Sequence, residues 1–249
     1  QDRRRLTAIT REVCAEFEAK GLTGRPIFWK RDRPRIEADL VRLLDKDNAY
    51  RAANGTTPAA AELAFGFDGA EPVSIPLPGG RSVRFRGRAD RLDIGADGRL
   101  HVVDYKTGSA SKFKALCEDD PDCGGTKLQL PVYAEAARRH REAPDAEAVA
   151  HFWFVSAKED YERLGYPVTP QVMERFGTTL ETIVKGIEAG VFPNFPTDQT
   201  TAIYVECPFC DPDALGVADL RRGWDRKCSD PALQVFANLV DPPGAGGPP

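Results

Sequence analysis

Two neighbouring stretches constrain this chain more than any other feature: Gly87-Arg-Ala-Asp-Arg-Leu-Asp93 and Val102-Val-Asp104-Tyr-Lys106-Thr-Gly108. Both fit strand patterning, yet both carry Asp or Lys, which strands disfavour. Side chains alternate across a strand, so Asp104 and Lys106 share a face and Val103 and Tyr105 take the other. Gly95-Ala-Asp-Gly98 reads as a hairpin loop, and a hairpin there sets Asp90 beside Asp104. Two adjacent carboxylates repel unless a cation lies between them. Mg²⁺ suits such a pair, because it binds through one or two carboxylates and substrate phosphate oxygens. The bland alternative is a salt-bridge ladder joining Asp104 to Lys106 or Arg88.

The surrounding elements follow from periodicity and breakers. Residues 6–20 read as a helix, with Leu6, Ile9, Val13 and Phe17 at helical spacing. Gly24-Arg-Pro26 breaks the pattern, and a second helix is expected over residues 34–50. Strands are expected over 61–67, 82–94 (one long strand), 100–106 and 148–157. Helices are expected over 127–142, 170–190 and 213–227, with 112–125 irregular. On the strand carrying Trp153 and Phe154, alternation lets only one face the core, the other packing under a helix. If the 82–94 strand is regular, Arg84, Arg86, Arg88 and Asp90 lie on one face. The order of elements predicts an α/β or α+β domain with a mixed sheet flanked by helices.

Composition narrows the function classes. A net charge of −4 argues against a protein that coats DNA non-specifically, which would be basic overall. Arg81, Arg84, Arg86, Arg88 and Arg91 nevertheless cluster about the first acidic stretch. No apolar run spans a bilayer and no export signal opens the sequence, so no membrane role and a cytoplasmic location are expected. The first residue is Gln1 and the single methionine is Met173, which suggests a fragment or a processed product. Six cysteines without an export signal favour metal or redox roles over disulfides. Cys207-Pro-Phe-Cys210 is the one close pair, and the 242–249 tail is Pro/Gly-rich and expected to be disordered.

The ordered set GRADRLD…VVDYKTG…LQLPVYAEAA, spanning roughly Glu62 to Ala137, resembles the PD-(D/E)XK nucleases, in the branch of RecB- and AddB-like domains. That resemblance implies a restriction-endonuclease-like fold: a mixed central sheet flanked by helices. It implies a helical part over 1–57, a nuclease core over 58–195 and a cysteine-containing segment over 196–241. Asp90 and Asp104 would be the metal-binding acids, the Tyr105 backbone carbonyl a further metal oxygen, and Lys106 the catalytic lysine. Gln129 and Tyr133 match the family's Q-x-x-x-Y helix motif, and four residues apart they share a helix face. Glu62 is a candidate outer ligand, and Arg86 and Arg88 candidate DNA-binding residues.

Relatives usually carry an upstream helix with a histidine or acid that completes the metal site. His101, His140 and His151 all lie too late in the chain, which leaves Glu12, Glu16 or Glu37 as substitutes. Some relatives also hold a 4Fe-4S cluster, for which Cys14, Cys207, Cys210 and Cys228 are candidates, with Cys117 and Cys123 spare. Four thiolates serve a cluster or a zinc ion alike, and a plain turn with buried apolar cysteines is the bland alternative. The resemblance implies a Mg²⁺- or Mn²⁺-dependent deoxyribonuclease, of exonuclease or end-processing type, partnered with a helicase in break repair. The alternative is a nuclease-like module that binds DNA or a partner without cutting. Site chemistry alone does not separate DNA from RNA.

Overall fold

The computed structural model describes residues 2–67, 69–193 and 217–240. Two helices open the chain, α1 (Asp2–Ala19) and α2 (Pro26–Asn54). Strand β1 (Thr57–Phe65) follows, then β2 (Val73–Pro76), β3 (Ser82–Phe85), β4 (Gly87–Ile94) and β5 (Leu100–Lys106). Helix α3 (Gln129–His140) leads to β6 (Ala148–Phe154), β7 (Arg163–Pro167) and α4 (Pro170–Glu188). Helices α5 (Val217–Lys227) and α6 (Gln234–Val240) come last. No helix among the described residues is long and apolar enough to cross a membrane.

The main sheet has the order β1-β4-β5-β6-β7, and β2 pairs with β3 in a separate two-stranded sheet. All pairings are antiparallel except β5–β6. That parallel pair needs a crossover, which α3 supplies. Leu130, Ala134 and Ala137 of α3 pack against Leu92, Val102, Phe152 and Phe154 as the principal core. A second core joins Val73 and Ile75 of β2 to Val132 of α3 and to Phe176 and Leu180 of α4. On the opposite face of the sheet, Tyr50 and Leu43 of α2 cover Val103, Tyr105 and Trp153.

Several expectations change. The strand expected over 82–94 is two strands. Up to Phe85 it pairs with β2, and from Gly87 it pairs with β1, so the chain changes sheets at Arg86. The crossing is tight: a Cβ on Gly87 would meet the Phe65 ring at 2.8 Å, and one on Gly66 would meet Arg86 Cβ at 2.5 Å. Arg84 therefore does not share a strand with Arg88 and Asp90. Trp153 and Phe154 are 1% and 0% exposed, so both faces of β6 are buried, as befits a strand with a parallel neighbour.

At the N-terminal end, Pro26 starts α2 instead of breaking it, a position where its missing N–H costs nothing, and Pro34 lies inside the helix. The stripe Ile9, Val13 and Phe17 stands 44–47% exposed, and Thr10 and Cys14 are the buried residues of α1. Strand β7 and helix α6 carry too little periodicity to be read from sequence. Cys207, Cys210 and the 242–249 tail lie outside the described residues.

His151 is buried on the α2 face of β6, and burial pushes its imidazole down to about 3. Above pH ~6.5, the free imidazole value, it is neutral folded or unfolded. Below that, the unfolded chain takes a proton that the fold refuses, so stability falls with pH until the folded value is reached. We expect His151→Phe to remove up to ~1.4 kcal/mol per pH unit of slope between about pH 6 and 4, read by urea unfolding. An unchanged slope would contradict the buried neutral imidazole.

Candidate active site

The pairing of β4 with β5 runs from Ile94↔Leu100 to Arg91↔Val103 and stops there, while β4 stays paired with β1 as far as Gly87. Asp90 sits at this point of divergence. Its Oδ2 accepts a 2.7 Å hydrogen bond from the Tyr105 backbone N–H. A carboxylate thus takes the place that a strand carbonyl would otherwise occupy, and Asp90 is fixed beside Asp104 without losing its second oxygen. Glu62, the β1 residue that the register sets opposite Asp90, has φ 51°, so the sheet is kinked on that side too.

Asp104 is 3% exposed and lies on the face covered by α3. Lys106 Nζ lies 2.5 Å from its Oδ2. Gln129, the first residue of α3, ties the group together. Its Nε2 donates to Asp104 Oδ1 at 3.2 Å and to the Tyr133 hydroxyl at 3.1 Å, and its Oε1 accepts from Lys106 Nζ at 3.0 Å. This amide orientation is the one that gives the lysine an acceptor and the carboxylate a donor. Lys106 Nζ also lies 5.0 Å from the centre of the Phe152 ring, an apolar floor that strengthens its local charge. Burial raises the Asp104 carboxyl above the usual carboxylate range; Lys106 pulls it down, and neighbouring Asp90 adds to the rise. Burial likewise raises the Tyr133 phenol.

Two acids, a lysine and a glutamine–tyrosine pair therefore meet where two strands part. A family model for the PD-(D/E)XK nuclease superfamily matches residues 1–214. The chain belongs to this superfamily. Its five-stranded mixed sheet flanked by helices is the restriction-endonuclease-like fold of PD-(D/E)XK proteins. Relatives named as a subunit of ATP-dependent helicase/deoxyribonuclease share its sequence. The one from Symbiobacterium thermophilum is 51% identical over 175 residues, covering 67% of this chain and 14% of the relative. That from Desulforudis audaxviator is 34% identical over 148 residues, covering 56% and 12%. That from Heliobacterium modesticaldum is 39% identical over 111 residues, covering 43% and 9%. The chain spans at most 14% of the length of these three relatives.

Within this PD-(D/E)XK frame, Asp90, Asp104, Lys106, Gln129 and Tyr133 come together. Glu62 is exposed, and no three His, Cys, Asp or Glu side chains among the described residues form a metal-holding group. Glu37 is taken up by Arg11 and Arg33, and Glu16 by Lys20. Arg86 is exposed with its guanidinium 5.2 Å from the centre of the Phe67 ring, and Arg88 is exposed on β4. Cys14 is buried in α1, and Cys228 donates from its thiol to the Asp225 carbonyl at 3.5 Å.

Sequence reasoning missed the support behind the site. On the α2 face, Arg91 bonds Asp93 through two nitrogens at 2.7 and 2.5 Å, Asp47 of α2 at 2.7 Å and the Tyr105 hydroxyl at 3.0 Å. Asp93 is fully buried. This cluster pins the Tyr105 side chain, and hence the strand segment that carries Asp104 and Lys106. The available signal was the second acid of GRADRLD, two residues beyond Arg91 and on the same strand face. Removing one partner of a buried pair leaves the other uncompensated. Arg91→Ala is therefore expected to lower unfolding free energy by about 3–5 kcal/mol, measured by chemical denaturation. A loss below about 1 kcal/mol would show the cluster to be a surface-type pair.

Proposed function

We propose that this chain is the metal-dependent deoxyribonuclease part of a helicase–nuclease that processes DNA ends in break repair or recombination. The observation that carries the reading is the convergence of Asp90 and Asp104 with Lys106 at the open end of the β4–β5 pairing. The relatives' shared name supplies the helicase partner and DNA as the substrate.

The residues present suit a divalent cation. Both acids offer hard oxygens, and the buried Asp104 Oδ2 lacks a hydrogen-bond donor of good geometry although Lys106 stands beside it. Asp90 and Asp104, with the Tyr105 carbonyl, would hold Mg²⁺ or Mn²⁺, and Glu62 is the candidate for an outer position. The bound ion supplies an acidified water and neutralises charge on the scissile phosphate. Lys106 keeps its ammonium beside that phosphate and stabilises the charge that grows on it. Gln129 holds Lys106 and Asp104 in register, and Tyr133 holds Gln129. Arg86 and Arg88 grip the phosphate backbone on the approach to the site.

Asp104→Asn tests this reading on two counts. The substitution removes a carboxylate that the fold keeps buried at a cost, so at neutral pH the metal-free variant should melt no lower than the parent. It should also lose cleavage of linear DNA by about 10³-fold or more, together with the melting-temperature rise that Mn²⁺ gives the parent. Lys106→Ala should lose cleavage while keeping that rise. Degradation at the parent's rate by either variant would refute the assignment.

One observation favours a second reading: no third acid among the described residues joins Asp90 and Asp104. A module that binds DNA or a partner without cutting would show no Mn²⁺ binding heat in a calorimeter. Arg86→Ala and Arg88→Ala should each reduce the slope of log affinity against log salt by about 0.7–0.9. Unaltered slopes would remove these arginines from the DNA path.

A further inference from the structure

The sheet face away from the acids holds a cavity of about 1230 Å³ beside the C-terminal half of α2, lined by β6, β7 and the start of α4. Its floor is aromatic: Tyr50 packs edge-on against His151 and Trp153, with ring centres 5.5 and 5.8 Å away. Three features of this cavity lack counterparts within the described residues. His151 Nε2 and Trp153 Nε1 are buried without a hydrogen-bond partner, and these residues are 5% and 1% exposed. Each such orphan costs about 1–3 kcal/mol. The Arg163 guanidinium lies 4.2 Å from the centre of the Tyr50 ring and 5.3 Å from that of Trp153, and no carboxylate among the described residues pairs with it.

The rim adds to the same charge preference. Lys46 makes only a 3.9 Å ion pair, with an Asp160 side chain that is 97% exposed. Thr169 and Pro170 bring the N-terminus of the 19-residue helix α4 to the cavity, and helix N-termini favour anions. Asp145, Glu147 and Glu162 also line it, but Glu147 is bound by Arg99 at 2.7 Å and Glu162 lies 3.9 Å from Lys114.

We propose that this cavity is a second binding site, for a nucleoside monophosphate unit, whether free or at the end of a single strand. An unpaired guanidinium on an aromatic floor suits a phosphate together with a planar base, since Arg both forks onto phosphate and stacks on flat rings. The volume decides against phosphate alone, which would leave most of the space empty, and exceeds the ~300–1,000 Å³ usual for small-molecule sites. The site lies across the sheet from Asp104, so occupation does not require cleavage, and the inference stands apart from the nuclease reading.

The test uses the whole chain with chelator present, so that no divalent ion is available for cleavage. Histidine side-chain NMR resolves His101, His140 and His151, assigned with His→Gln variants. Deoxyadenosine monophosphate should shift His101 and His151 but not His140. Arg163→Ala and, separately, Lys46→Ala should each weaken binding about tenfold or more, whereas Asp104→Asn should not. Both variants replace exposed side chains, and an unchanged amide spectrum confirms their fold. Inorganic phosphate and deoxyadenosine, tested singly, should each bind at least about tenfold more weakly. A short thymidine oligonucleotide that binds more tightly than the mononucleotide identifies the strand end as the source; equal or weaker binding identifies the free nucleotide. The proposal is overturned if the two histidines stay unmoved at about 10 mM nucleotide, if phosphate alone binds as well as the nucleotide, or if Asp104→Asn and not Arg163→Ala abolishes the response.

Discussion

The hydrogen bond from the Tyr105 backbone to the Asp90 carboxylate is the constraint on which the site depends. A regular antiparallel ladder would have carried β4 and β5 on together and closed the space between them. Here the ladder ends one residue earlier, and a side chain satisfies the backbone donor that the ending would otherwise leave bare. The substitution opens a gap at the end of β5, keeps a buried N–H paired and places an acid at a fixed distance from the strand bearing Asp104. Fold and chemistry meet in that one contact, because the donor belongs to the sheet and the acceptor to the site.

Strand alternation then divides the labour between the two faces of β5. Asp104 and Lys106 point toward α3, where Gln129 holds both. Val103 and Tyr105 point toward α2, where Tyr50, Trp153 and the Arg91 cluster hold them. Each catalytic candidate thus has its strand neighbours fixed from the opposite side. A strand covered on one face only would leave this segment free to twist, and the Lys106–Gln129 distance would wander with it.

Much of this was legible because it lies in local pattern. The 100–106 strand, the Gln129–Tyr133 spacing and the Asp90–Asp104 juxtaposition follow from a two-residue period, a four-residue period and a hairpin loop. What sequence did not reveal depends on partners distant in the chain. The exchange of sheets at Arg86 leaves alternation intact, so nothing in residues 82–94 announces it; the glycine contacts that permit it come from Gly66 and Gly87 together. The α1 stripe of Ile9, Val13 and Phe17 shows which side of a helix is apolar, but periodicity cannot say whether anything covers that side. Alternation alone makes Trp153 and Phe154 competitors for one core, whereas a strand beside a parallel neighbour has two.

The energetic logic of the site runs against stability. Asp104 is almost wholly buried next to a second acid, and its carboxyl is raised in consequence, although Lys106 stands beside it. A sequence selected for stability alone would place an amide or an apolar residue there. The fold instead sustains that cost with elements that have no chemistry of their own: the Arg91–Asp93 pair behind the strand, the Phe152 floor beneath the lysine and the α3 core above it. Such a carboxylate is poorly matched to its surroundings while the site holds only protein, and well matched once a cation shares its oxygens. The strained charge balance, more than the motif letters, makes Asp104 the residue around which the proposed chemistry is built.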